Sequence, residues 1–200
     1  MRASWPAVAL IVLWPSLGWA EWQIKPFYGF TFGGSTTLVD LEQAADDQHR
    51  IFGVSGQLLG EVFGIEADLG HSPGFLGNET RLVNSSRVTT FTGNLIMGLP
   101  REWMRYTLRP YVLAGGGVMQ VRTTPPTPAP DVLVIDRDLP VVDFGGGVTG
   151  FLNDRVGLSW ELRYFRGIGE DRTGVSFGRE KLSFWRASMA VAVRLNRRSR

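Results

Sequence analysis

The chain has 200 residues, 44% of them hydrophobic, and a formal net charge of +2 from 21 basic and 19 acidic side chains. So balanced a charge predicts no nucleic-acid partner, because a nucleic-acid-binding domain concentrates an excess of Lys and Arg on one face. Cysteine is absent, which excludes disulfides, thiolate metal sites and cysteine nucleophiles.

Residues 1–20 have the pattern of a secretory signal peptide. Arg2 supplies the positive start, an apolar run extends from Trp5 to Trp14, and the small residues Gly18 and Ala20 precede a predicted cleavage after Ala20. An N-terminal anchor is the alternative, but the run is short for crossing a bilayer. We therefore expect an exported domain formed by residues 21–200.

Eight stretches of this domain alternate between apolar residues and polar or glycine residues, and each predicts a β-strand. In the third stretch, Phe63 and Ile65 point to one side of the predicted strand, whereas Gly64 and Glu66 point to the other. The eight predicted strands are 22–33, 50–59, 63–71, 87–98, 107–122, 140–152, 156–166 and 182–195.

Long and short connections alternate between the predicted strands. The predicted long loops are 34–49, 72–86, 123–139 and 167–181, and the shorter turns are 60–62, 99–106 and 153–155. This alternation is typical of small outer-membrane barrels, whose long loops lie outside the cell and whose short turns lie in the periplasm. The sequence thus predicts an all-β fold, an eight-stranded antiparallel up-and-down transmembrane β-barrel. A soluble periplasmic lipid-binding barrel, with its apolar residues inside, is the alternative fold.

Three segments resemble a known family. Residues 109–118 (RPYVLAGGGV) are similar to its RPYVGAGxGV segment, and 143–148 (DFGGGV) followed by 153–158 (NDRVGL) and 161–164 (ELRY) are similar to the segment that comes next. The chain therefore resembles the outer-membrane β-barrel domain family, which is similar to the OmpA transmembrane domain and to OmpX. The resemblance implies an eight-stranded barrel with a side-chain-filled interior, located in the cell outer membrane, but it does not imply one activity.

The C-terminal end departs from this family. Its members usually end on an aromatic residue that the barrel-assembly machinery reads, whereas this chain continues past Leu195 into residues 196–200 (NRRSR). The departure weakens the expected assembly signal and leaves the argument for the fold unchanged.

Six charged residues fall on the polar faces of the predicted strands. A charge that faces lipid near the membrane midplane costs about 2–4 kcal/mol, so we expect these side chains inside the barrel. Buried charges must pair, and the last hairpin is expected to bring Glu161 next to Arg186. A structural ion-pair core is the favoured interpretation, and a gated ion or proton path is the alternative. The predicted interior cluster consists of Glu66, Asp68, Asp143, Glu161, Arg163 and Arg186.

Two glycine triplets, 115–117 and 145–147, flank the third predicted loop. A symmetric hairpin would place them opposite each other. The favoured interpretation is that they make room for larger interior side chains, and the alternative is an outward groove for a lipid chain or a second barrel. In this arrangement Gly147 points inward and Gly146 points outward.

The sequence offers one weak candidate for catalysis. His71 and Ser72 lie near Asp68, and His49 ends the first long loop, but adjacent strand residues point to opposite faces. No cofactor and no metal site is predicted. We expect a structural or surface-interaction role without a large pore, with a lipid-modifying outer-membrane enzyme as the alternative. The expected partners are outer-membrane lipids and lipopolysaccharide, and the barrel-assembly machinery during insertion.

Overall fold

A computed structural model describes residues 21–36, 48–74, 85–100, 103, 108–124, 136–168 and 182–195. The predicted signal peptide at 1–20 lies outside these residues, as does most of each predicted long loop. Within the described part of the chain, no helix is long and apolar enough to cross a membrane.

Eight antiparallel strands form one closed barrel in which each strand pairs with its neighbours in the sequence and the last pairs with the first. The predicted fold class is therefore confirmed. The strands are β1 (Glu21–Thr36), β2 (His49–Leu59), β3 (Phe63–Pro73), β4 (Ser85–Gly98), β5 (Leu108–Thr124), β6 (Asp136–Phe151), β7 (Val156–Gly167) and β8 (Leu182–Arg194).

Several strands extend further toward the long connections than the sequence pattern predicts. The pattern starts β6 at residue 140, whereas β6 starts at Asp136 and pairs there with Arg122 of β5. Backbone ladders need no apolar face, so pairing continues past the point where the apolar alternation stops. The connections between strands are therefore 37–48, 74–84, 125–135 and 168–181, all shorter than the predicted loops.

The two ends of the barrel differ. The end that carries these four connections is called here the long-connection end. The opposite end carries the segments 60–62, 99–107 and 152–155 together with the first residue of β1 and the last residue of β8, and is called the short-turn end.

Alternate residues of each strand face the interior or the outside. The interior side chains include charged groups such as Arg163 and Arg186, both 0% exposed, whereas outward apolar residues such as Leu95 are as much as 72% exposed. A soluble lipid carrier has the reverse polarity, with an apolar interior. The structure thus contradicts the soluble lipid-binding alternative.

The closing seam between β1 and β8 contains an irregularity. The two strands pair in register from Phe27 to Phe32, and the register then shifts by one residue before Ser35. Gly33 lies within this bulge at a φ of 59°, a left-handed conformation that glycine adopts more readily than other residues.

The glycine triplets do not face each other, so the symmetric hairpin predicted from the sequence is wrong. Gly116 pairs with Val142, and Gly146 pairs with Val112, which places the register four residues away from the symmetric one. The triplets instead lie at different heights in the β5–β6 wall. Both backbones still approach their neighbours closely, because a Cβ atom on Gly147 would lie 2.5 Å from the carbonyl oxygen of Trp160.

Candidate functional site

The six charged residues predicted inside the barrel all lie on inward positions and form one cluster. Glu66 and Asp68 come from β3, and Asp143 comes from β6. Glu161 and Arg163 come from β7, and Arg186 comes from β8. The sequence folds in this way locally because the period of two along each strand puts these polar residues on the face opposite the apolar ones.

Arg163 connects β7 to the far wall of the barrel. Its Nη2 lies 2.5 Å from Glu66 Oε1 and 3.8 Å from Asp68 Oδ2, and its Nη1 lies 3.5 Å from Asp143 Oδ2. Its Nε also donates to Glu161 on the same strand. One guanidinium group therefore contacts all four carboxylates of the cluster.

Arg186 forms a bidentate ion pair with Asp68. Its Nη1 and Nη2 donate to the two carboxylate oxygens at 2.8 and 3.0 Å, and Nη2 lies 3.2 Å from Glu161 Oε1. The guanidinium also lies over the rings of Phe27 (4.4 Å) and Phe165 (5.1 Å). Paired hydrogen bonds to a carboxylate are stronger than neutral ones, so this contact fixes β8 relative to β3.

Uncharged side chains provide further hydrogen bonds to the carboxylates. Glu66 accepts from Gln57 Nε2 (2.5 Å) and from Asn94 Nδ2 (3.0 Å). Glu161 accepts from the hydroxyl of Tyr111 at 2.8 Å. A buried charge is costly unless it is both paired and hydrogen-bonded. The arginines pair with these carboxylates, and the uncharged donors provide the additional hydrogen bonds.

Lys25 of β1 is a buried charge that was not expected from the sequence. Its Nζ donates to Thr149 Oγ1 at 3.1 Å and lies 4.6 Å from the centre of the Tyr111 ring. The signal in the sequence that could have revealed Lys25 is its position in the alternation of β1. Lys25 shares the inward face with Gln23 and Phe27. The outward residues are Trp22, Ile24 and Pro26.

Buried apolar side chains lie on both sides of the ion cluster along the barrel axis. Toward the long-connection end lies a buried layer that includes Val88, Met119, Val141, Phe165 and Phe184, in which the two phenylalanine rings stack at 5.1 Å. Toward the short-turn end lies a second layer made of Leu59, Ile96, Tyr111 and Leu113.

Arg109 of β5 is buried at the short-turn end of the barrel. Its Nη2 donates to the carbonyl oxygens of Gly60 (2.8 Å) and Glu61 (2.6 Å). These bonds attach β5 to the turn between β2 and β3. The contacts of Arg109, Arg163 and Arg186 therefore join strands across the interior of the barrel.

The residues considered for catalysis do not assemble into a site. His71 faces outward, where its Nδ1 lies 2.9 Å from Thr89 Oγ1, whereas Ser72 faces inward and donates to the carbonyl of Arg50 at 2.9 Å. His49 begins β2, and its carbonyl accepts from Thr31. Among the described residues, no group of three or more His, Asp or Glu side chains could hold a metal ion.

No family model and no curated protein matches the chain, but solved structures share its fold. Neisserial surface protein A has a TM-score of 0.63 at 11% identity, covering 87% of this chain and 97% of that one. Ail, the attachment invasion locus protein of Yersinia pestis, has a TM-score of 0.52 at 13% identity, covering 86% and 98%. OprG, an outer membrane protein from Pseudomonas aeruginosa, has a TM-score of 0.51 at 13% identity, covering 88% and 96%.

These likenesses, all at low identity, confirm the predicted recognition at the level of fold. The chain shares the eight-stranded barrel architecture of these proteins over 86–88% of its length.

Proposed function

We propose that this protein is an integral outer-membrane β-barrel with a structural or surface-interaction role, a side-chain-filled interior and no large pore. The observation that carries the proposal is the polarity of the wall. Ion pairs fill the inside, and the outward side chains are apolar, as for Phe63 (60% exposed) and Leu95 (72% exposed). A surface of this kind is stable when it contacts lipid.

The similar solved structures support the location. OprG is an outer membrane protein by its own name, and the other two are described as a surface protein and an attachment invasion locus protein. A barrel of this type reaches the outer membrane by export and assisted insertion. The proposal therefore includes a cleaved signal peptide at 1–20, and the barrel-assembly machinery, outer-membrane lipids and lipopolysaccharide as partners.

The surface role concerns the long-connection end. The four longer connections between strands lie at this end. The start of β1 and the last residue of β8 lie at the opposite, short-turn end. In outer-membrane barrels the longer connections face the outside of the cell. The proposed interaction surface therefore includes 37–48, 74–84, 125–135 and 168–181, which lie outside the described residues except for residues 48, 74 and 168.

Fractionation and gel mobility test the location. We expect the expressed chain to stay in the Sarkosyl-insoluble membrane fraction. We also expect the purified chain to migrate at different positions before and after boiling, because a closed barrel keeps its shape in cold detergent. Release into the soluble fraction, or a single position under both conditions, would contradict the proposal.

A further inference from the structure

The outward surface changes character toward the long-connection end. On β2 the last outward apolar residue, Phe52, is followed on the same face by Arg50. On β4 the outward residues in this direction are Phe91, Thr89 and Arg87. On β5 they are Val118, Gln120 and Arg122. These three arginines therefore lie where the apolar surface ends, which is the headgroup level of a surrounding membrane.

Strand register places the three arginines at one level of the barrel wall. Arg87 pairs directly with Arg122 on β5 and with Pro73 on β3. On the other side of β3, Ser72, next to Pro73, donates to the carbonyl of Arg50 at 2.9 Å, which places Arg50 of β2 at the same level. Neighbouring strands are about 4.8 Å apart. Arg87 and Arg122 are therefore direct neighbours, whereas Arg50 lies two strands from Arg87, with Pro73 of β3 between them. We call Arg50, Arg87 and Arg122 the arginine row.

Charge is unevenly compensated along the arginine row. Like charges directly opposite each other in a sheet are destabilising. Asp136 lies opposite Arg122, and Arg122 has contacts within the fold. Asp138, nearby on β6, accepts a hydrogen bond from Gln120 at 3.0 Å. Arg50 and Arg87 are exposed and have no acidic partner among the described residues. Within the part of the chain that the structure describes, the positive charge without an acidic partner therefore lies on β2 and β4.

We propose that the arginine row binds the phosphate groups of a lipid in the surrounding leaflet. The guanidinium fork matches phosphate geometry and forms charge-assisted hydrogen bonds with it. The place of the row favours a lipid over a soluble anion, because acyl chains can contact Phe52 and Phe91 while the phosphates reach Arg50 and Arg87. This inference rests on the proposed function, since it requires the barrel to be embedded in a membrane.

Binding of a phosphorylated glycolipid tests the inference. The full chain, refolded in detergent, is titrated with lipid A that carries both phosphates and with the same lipid A after dephosphorylation, and bound lipid is counted by native mass spectrometry. We expect the double variant Arg50→Gln with Arg87→Gln to bind phosphorylated lipid A about tenfold more weakly than the wild type, which is the loss of about one charge-assisted bond. Arg155→Gln is the matched control, since Arg155 is exposed at the short-turn end.

Three outcomes would overturn the inference. They are equal binding of dephosphorylated lipid A by the wild type, an equal loss of affinity in Arg155→Gln, and complete displacement of the lipid by excess inorganic phosphate, which would indicate a site for soluble anions. The boiling-dependent gel shift of every variant is measured first. A wild-type chain that lacks the shift contradicts the proposed function, whereas a folded barrel without phosphate preference contradicts the arginine row alone.

Discussion

Arg186 joins two strands that are not neighbours in the barrel, and its partners differ in how many other contacts they have. Asp68 receives two hydrogen bonds from it at 2.8 and 3.0 Å. Glu161 lies 3.2 Å away and also accepts from Arg163 and Tyr111. Loss of Arg186 therefore removes more from Asp68 than from Glu161.

Double-mutant cycles should show this difference. Arg186→Met is expected to lower the free energy of unfolding by about 3–5 kcal/mol, because it leaves buried carboxylates short of a partner. The coupling energy with Asp68→Asn should be about 1–3 kcal/mol and should exceed the coupling energy with Glu161→Gln. Urea unfolding of the barrel in lipid vesicles measures both. Additive effects for the Asp68 pair would contradict the pairing described here.

A second prediction at the residue scale concerns the glycine wall. A Cβ atom at the inward Gly147 would lie 2.5 Å from the backbone oxygen of Trp160, and one at the outward Gly146 would lie 3.0 Å from that of Tyr111. Gly147→Ala should therefore destabilise the barrel by about 1–3 kcal/mol through overpacking, and Gly146→Ala should cost less. Gly93→Ala is the control, because no neighbouring atom lies within 4 Å of the position that its methyl group would take. Equal unfolding midpoints for the Gly147 and Gly93 variants would contradict this account.

At the scale of strands, the β1–β8 seam closes the barrel, and the bulge at Gly33 lies within it. A non-glycine residue in the left-handed region costs about 1–2 kcal/mol, and asparagine tolerates the region better than alanine. Gly33→Ala should therefore lower the temperature at which the folded band is lost in the gel assay, and Gly33→Asn should lower it less.

Gly74 provides the comparison for this seam. It has a similar φ of 72°, but it follows the end of β3 and has open space around it. Gly74→Ala should thus disturb the end of one strand and leave closure intact. A larger effect at Gly74 than at Gly33 would show that the bulge does not control closure of the seam.

Strand number could be predicted from local alternation, strand order from the alternation of long and short connections, and the inward face from the cost of a charge that faces lipid. Residues such as Phe63 and Glu66 report which face is which without any knowledge of the neighbouring strands. Register could not be predicted in the same way. The pairing of Gly116 with Val142 depends on the length and path of the connection between β5 and β6, and the extension of β6 to Asp136 depends on backbone bonds that leave no apolar pattern.

The same limit applies to the candidate site. The parity of Glu66, Asp68 and Arg163 was sufficient to place them inside. Their partners were not predictable, because the contact between Arg163 and Glu66 joins β7 to β3 and exists only in a closed barrel. Lys25 has the same inward alternation, but it is the only charged residue among the inward positions Gln23, Lys25 and Phe27, so the pattern does not mark it as part of a charged cluster.

For the whole molecule, the proposed side-chain-filled interior leads to a prediction about conduction. The ion cluster lies between an apolar layer containing Phe165 and Phe184 and the layer that contains Tyr111. We expect the reconstituted wild-type chain to show no large steady conductance in a planar bilayer, with a general porin as the positive control. Porin-sized steps that depend on insertion of this chain would contradict a filled interior.

The cross-barrel ion pairs also have a consequence for the order of assembly. Glu66 and Asp68 belong to the second quarter of the barrel sequence, yet their arginine partners stand on its last two strands. Hairpins that entered the bilayer one after another would leave these two carboxylates without counter-ions until the C-terminal hairpin arrived. The intermediates of a stepwise route would therefore contain unpaired buried charges, which raise their free energy. We expect the strands to insert together as the barrel closes. A chain truncated before β7 should then remain at the membrane surface.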